Sequence, residues 1–175
     1  VDFPYTKHRL EEVLNEKILS ADREKVENLS LVDEAAKLNV ALLVYGSPLT
    51  ATTHITLIEE CKASGIKYKV IHNASIFDAV AETGLQLYKF GKVASMPAWK
   101  KSFEPDSFME IVSQNMSQQA HSLILIDIGL EFSEALEQLK KSVDNHKVKL
   151  NKLIICQAMG TNNQKILYRE LWELE

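Results

Sequence analysis

Apolar and polar positions along this chain follow two rhythms, and the change from one to the other predicts where strands and helices lie. "NVALLVY", residues 39–45, is a continuous apolar run of the kind buried on both faces of a parallel sheet. Residues 53–64 follow with Ile55, Leu57, Ile58 and Cys61 spaced among polar positions, which predicts a helix that Gly65 stops. "KYKVIH" (67–72) is the next strand, and "ASIFDAVAET" (74–83) a short helix closed by Gly84. "GKVASMP" (91–97) is a strand that Pro97 terminates. Strand, helix, strand, helix, strand in this order predicts a parallel sheet with right-handed crossovers.

A second block repeats the logic in different residues. Pro105 suits the first turn of a helix that reaches Gln118, and "HSLILIDIG" (121–129) is a further core strand. Ser133 is placed to cap the helix "EALEQLKKSVDN", whose apolar stripe is Ala135, Leu136 and Leu139. "KLIICQAMG" (152–160) is a strand, and Leu167, Leu171 and Leu174, at i, i+4 and i+7, predict a last helix. At the front, "HRLEEVLNEKI" reads as a helix with Leu10, Val13 and Leu14 on one face, and "ADREKVEN" (21–28) as another capped by Asp22, its charges solvated. The fold class expected is α/β: an N-terminal lobe over 1–98 with a mainly parallel sheet, a C-terminal lobe over 99–175, and a cleft between them.

Composition narrows the function. The 175 residues carry a formal net charge of -4, which argues against direct nucleic-acid binding because phosphate recognition needs a Lys/Arg excess. No apolar run approaches the roughly 20 residues that span a bilayer, and "VDFPYTKHRLEE" lacks the apolar core of a secretory signal, so the expectation is a cytoplasmic protein without a membrane partner. Cys61 and Cys156 are far apart and without metal-ligand spacing; they read as buried free thiols in a reducing compartment, with no metal site.

Ligands in open α/β sheets bind beyond the carboxyl ends of the strands. Three loops fall there: Gly46–Thr53, His72–Ser75 and Asp127–Gly129. In the first, "YGSPLTATTHITL" (45–57), Gly46 permits close backbone approach and Thr52 or Thr53 can cap the next helix, although a well-capped turn explains the same residues. His72 and Asn73 can orient a ligand or simply close a strand, and His54 sits in the first turn of its helix. No hydrolase elbow, Walker loop or GxGxxG occurs, and Asp127 is the only carboxylate at an obvious strand end. No catalytic acid–base pair can be nominated, and the residues by themselves point to a small-molecule cleft.

"GSPLTATTH" (46–54), "YKVIHNASI" (68–76) and "TGLQLYKFG" (83–91), with "LSADREKVE", "PDSF", "LILIDI" and "QKI" elsewhere, resemble the diphthine synthase family of tetrapyrrole-methylase-like methyltransferases. The resemblance covers most of the chain. It implies a two-lobed α/β fold around S-adenosylmethionine, with S-adenosylhomocysteine as the product left behind. It also implies in-line methyl transfer to the amino group of a modified histidine on translation elongation factor 2, the partner and substrate, and a homodimer. Because the methyl carbon is already activated, positioning contributes most and no nucleophilic side chain is required, so no catalytic residue is assigned. The cofactor contacts it implies are Ser47 and Thr50 in the first loop, Ser75 and Ile76 in the second, Ile126 before Asp127, and Met159 before Gly160.

The chain departs from the family at several points. Ser47 stands where the family has aspartate; a charged hydrogen bond is worth about 1.5–3 kcal/mol, so its loss implies roughly ten- to hundred-fold weaker cofactor binding. The family's opening strand with its Gly-Leu-Gly-Leu turn, a basic Pro-rich loop after Ile128 and a C-terminal histidine-bearing segment have no counterpart, which leads to the expectation of a shortened chain. These departures favour a second reading, a non-catalytic module that docks elongation factor 2; a third, a sibling that methylates a tetrapyrrole or another small molecule, is opposed by the LQLYKFG and HNASI blocks. Trp99, Phe103 and Phe108 can serve a partner or a core.

Overall fold

Thr6 precedes the first helix and its hydroxyl accepts the Arg9 N–H at 3.2 Å, satisfying one of the donors that a helix start leaves open. The structure, a computed structural model, describes residues 6–174. Packing divides the chain into two units that meet between Asp78 and Ala79.

The unit up to Asp78 carries α1 (Lys7–Leu14), α2 (Arg23–Glu27), α3 (Ser30–Ala35) and α4 (Ile55–Ala63). Asp22 caps α2 as expected, its carboxylate accepting the Lys25 N–H at 2.8 Å. Ser64 and Gly65 close α4, with Gly65 at φ +68°, a conformation that favours glycine. The strands expected over 39–45 and 67–72 do not form: neither segment belongs to a β-ladder among the described residues. An apolar run becomes a strand only when a neighbour takes its N–H and C=O groups and something covers its faces. Here Leu43 is 52 % and Ile71 79 % exposed. Helix α5 (Ile76–Ala79) runs into a 3₁₀ turn, Val80–Thr83, that ends at Gly84, so the helix expected over 74–83 is present with a tighter second half.

The unit from Ala79 carries β1 (Ala94–Met96), α6 (Phe108–Ser117), β2 (Ile124–Ile126), α7 (Phe132–His146), β3 (Lys152–Gln157) and β4 (Lys165–Glu170). β1 and β2 are parallel, with Ala94 opposite Ile124 and Met96 opposite Ile126, so one ladder joins residues on both sides of position 98. Phe108, Met109 and Val112 of α6 and Ala135, Leu136 and Val143 of α7 pack with Ala94, Met96 and Leu171 in one buried cluster. Gly91 passes so near the buried Asn115 that a Cβ there would stand 2.1 Å from Asn115 Oδ1.

Two expectations are corrected in this unit. Residues 165–170 are not helical: "KILYRE" pairs antiparallel with β3, Lys152 opposite Glu170 through Gln157 opposite Lys165. Leu167, Leu171 and Leu174 have helical spacing, but β-branched and aromatic neighbours and a turn with Ala158 and Gly160 at positive φ favour the hairpin. Leu171 and Leu174 fall in and just beyond a short 3₁₀ turn. Helix α7 begins one residue before Ser133, at Phe132, with Glu131 in the cap position and no side-chain cap bond.

Candidate functional site

The loop over residues 46–53 is closed by its own side chains. Thr50 donates its hydroxyl to Ser47 Oγ at 2.8 Å, and both residues are half-buried. His54 Nδ1 donates to the Pro48 carbonyl oxygen at 2.7 Å, and Thr52 bonds the same oxygen at 3.3 Å. His54 therefore serves the turn. Gly46, at φ +77°, lies against the second loop: a Cβ on it would be 3.5 Å from the Ala74 carbonyl oxygen. This unit thus brings the Ser47–Thr50 loop beside the Ala74–Ser75 loop.

Ser75 ends the second loop and opens α5. Asp78 accepts both the Ser75 N–H at 2.7 Å and the Ser75 hydroxyl at 3.0 Å, while Ser75 Oγ accepts the Phe77 N–H at 3.1 Å. The arrangement is a reciprocal cap with the acid three residues in. Those bonds, first the Ser75 N–H and then its hydroxyl, hold the Asp78 carboxyl below its usual range. Ile76 follows, half-buried; His72 is exposed, and Asn73 takes the Ala74 N–H at 2.8 Å.

In the unit from Ala79, Ile126 closes β2 opposite Met96 and is 46 % exposed. Asp127 donates its N–H to the Met96 carbonyl at 3.1 Å, and its carboxylate accepts the Ala98 N–H at 3.1 Å and the Ile128 N–H at 3.0 Å. The one strand-end carboxylate is thus occupied with backbone. Met159 sits half-buried in the β3–β4 turn, where Gly160 donates its N–H to Gln164 Oε1 at 2.6 Å. Ile126 and Met159 lie at the ends of different strand pairs.

Gln138 was not foreseen from the sequence. It is 6 % exposed in the middle of α7, donates to the Pro97 carbonyl at 3.0 Å and accepts the Trp99 N–H at 2.9 Å. A polar residue inside the Ala135, Leu136, Leu139 stripe was the available signal. Phe108 is core, Phe103 is 61 % exposed, and Trp99 lies between, its indole N–H on the Pro105 carbonyl at 3.0 Å. Both cysteines are free and half-buried, and burial pushes the Cys156 thiol up. No helix among the described residues is long and apolar enough to cross a membrane.

The family "Tetrapyrrole (Corrin/Porphyrin) Methylases" matches residues 3–175. The chain is 44 % identical to the diphthine methyl ester synthase of Bos taurus over 77 % of its own length and 48 % of that protein's. It is 43 % identical to the same enzyme of Mus musculus over 91 % of its own length and 68 % of the relative's. A crystal structure of diphthine synthase superposes with a TM-score of 0.84 at 27 % identity, covering 97 % of this chain and 67 % of that one. The chain spans about half the length of the first of these relatives.

Proposed function

We propose, starting from a chain that belongs to the tetrapyrrole (corrin/porphyrin) methylase family and is similar throughout to its diphthine synthase members, that it binds S-adenosylmethionine and methylates the modified histidine of translation elongation factor 2. The observation that carries the reading is the pairing of the Ser47–Thr50 loop with the Ala74–Ser75 loop. These are the segments whose sequence bears the family resemblance, and both are lined by small hydroxyl residues.

The residues present fit the cofactor as neutral polar contacts. Ser47 accepts from Thr50 and still has its own proton to donate, and Ser75 keeps a lone pair after its bonds to Phe77 and Asp78. On this reading the cofactor contacts are Ser47, Thr50, Ser75, Ile76, Ile126 and Met159. The bound sulfonium supplies an already activated methyl group. The chain's own residues contribute binding and orientation, since the nearby carboxylates Asp78 and Asp127 are engaged in backbone bonds. The same reading takes the chain as a homodimer in the cytoplasm.

The test is a calorimetric titration with S-adenosylmethionine of the native chain and of Ser47→Asp. Restoring a carboxylate is expected to tighten binding roughly ten- to hundred-fold. Micromolar binding by the native chain supports a working methyltransferase. Binding by neither protein sinks that reading and leaves a module that docks the elongation factor without transferring a methyl group.

A further inference from the structure

The three residues after β1 are pinned one by one, and the pins come from two other elements. Pro97 gives its carbonyl to Gln138 Nε2 at 3.0 Å, Ala98 gives its N–H to Asp127 Oδ2 at 3.1 Å, and Trp99 gives its N–H to Gln138 Oε1 at 2.9 Å. The Trp99 indole is fixed as well, its Nε1–H on the Pro105 carbonyl at 3.0 Å and its ring facing the Lys141 ammonium at 5.0 Å. A segment leaving a strand has backbone groups that water usually satisfies. Here a buried glutamine is spent on them, and the result is a rigid lip at the carboxyl end of a parallel strand pair, where such sheets bind ligands. Ile126, proposed above as a cofactor contact, is paired with Met96 at the same end. Beside the lip opens a pocket of about 370 Å³, walled by Ala98, Trp99, Leu130 and Gln138 and edged by the carboxylates of Glu104, Glu134 and Glu137 and by Lys141. That volume is enough to admit a large side chain.

We infer that Gln138 is a positioning residue: it holds Trp99 as the fixed wall of a pocket that receives the reacting side chain of the acceptor protein. The inference rests on the methyltransferase reading for the identity of that protein, but its geometry does not depend on cofactor binding.

Gln138→Met keeps the side-chain volume and removes both hydrogen bonds; Gln138→Glu keeps the acceptor for Trp99 and loses the donor to Pro97. Affinity for elongation factor 2 bearing the modified histidine, and affinity for S-adenosylmethionine, are measured separately by calorimetry. Gln138→Met is expected to weaken acceptor binding about ten-fold while the cofactor Kd stays within about two-fold, with Gln138→Glu falling between native and Met. Trp99→Leu, which leaves the glutamine in place, is expected to give the same split and keeps the test readable if Gln138→Met does not fold. Equal losses for both ligands, or unchanged acceptor affinity, would overturn the assignment by reducing Gln138 to a packing role. So would a native chain that takes up the cofactor and ignores the acceptor. A native chain that binds the acceptor but not the cofactor removes the methyltransferase reading, and the lip is then decided by the acceptor isotherms alone.

Discussion

The two units of this chain bury their apolar residues very differently. From Ala79 onward, α6 and α7 close over β1 with Leu171 beneath them, and Met109 and Leu171 are wholly buried. Up to Asp78, Val32 is the one fully buried residue among those described, while Leu38, Leu43 and Ile71 are each more than half exposed. Their sequences do not foretell this, because "NVALLVY" is as apolar as "HSLILIDIG". What differs is the availability of partners. Residues 124–126 find β1 at ladder distance and two helices to cover it, whereas 39–45 and 67–72 belong to no β-ladder among the described residues. The first unit is held by local devices instead: the Asp22 cap, the Ser47–Thr50 and His54–Pro48 bonds, and the reciprocal cap of Ser75 with Asp78.

The sharpest way to break the contrast is in the packed cluster. Met109→Ala is expected to cost about 2–5 kcal/mol by chemical denaturation followed by tryptophan emission, since both tryptophans lie beyond residue 79. Leu43→Ser, in the open unit, should change stability by no more than about 0.5 kcal/mol; comparable losses would mean that the two regions are packed alike. Next comes Gly91→Ala. The new Cβ meets Asn115, which is itself tied to the Lys92 N–H and C=O and to Ser122, so a loss of about 1–3 kcal/mol is expected, and a neutral result would show that Asn115 can swing away.

Smaller effects probe the local devices. Ser75→Ala removes the reciprocal cap at α5 and should cost about 0.5–2 kcal/mol, seen as faster amide exchange at Phe77. The smallest is a pH effect in the packed unit. Asn145, and then His146, hold the Asp106 carboxyl below its usual range by hydrogen bonds. A carboxyl with a lowered folded-state pKa contributes stability above its unfolded value near 4 and loses it as pH falls through the folded value. The native protein should therefore lose its stability advantage over the Asp106→Asn variant between about pH 5 and pH 2, with the two curves converging at the acid end; parallel curves would remove Asp106 from the account.

Much of the helical framework could be read directly. Asp22 before a charged helix, Gly65 and Gly84 after apolar-periodic segments, and the Ala135, Leu136, Leu139 stripe all act through neighbours a few residues away, and the structure has them where the pattern puts them. The candidate site was legible in part: the small loops were visible from composition, although the strands expected before two of them do not form among the described residues, and the family resemblance supplied the particular residues. Gln138 was not, because its place inside an apolar stripe signals burial but not the two backbone groups, some forty residues away along the chain, that it bonds.

The local residue order thus determined where helices start and stop and which loops are small enough to admit a ligand. Tertiary structure decided the rest. Residues 165–170 have leucines at helical spacing and are still a strand, because β3 offers six residues of antiparallel pairing. Residues 39–45 have the composition of a core strand and join no ladder among the described residues. Strand identity depends on hydrogen bonds to a distant segment, whereas a helix satisfies its backbone within its own turn, and only the former has to wait for the whole chain to fold.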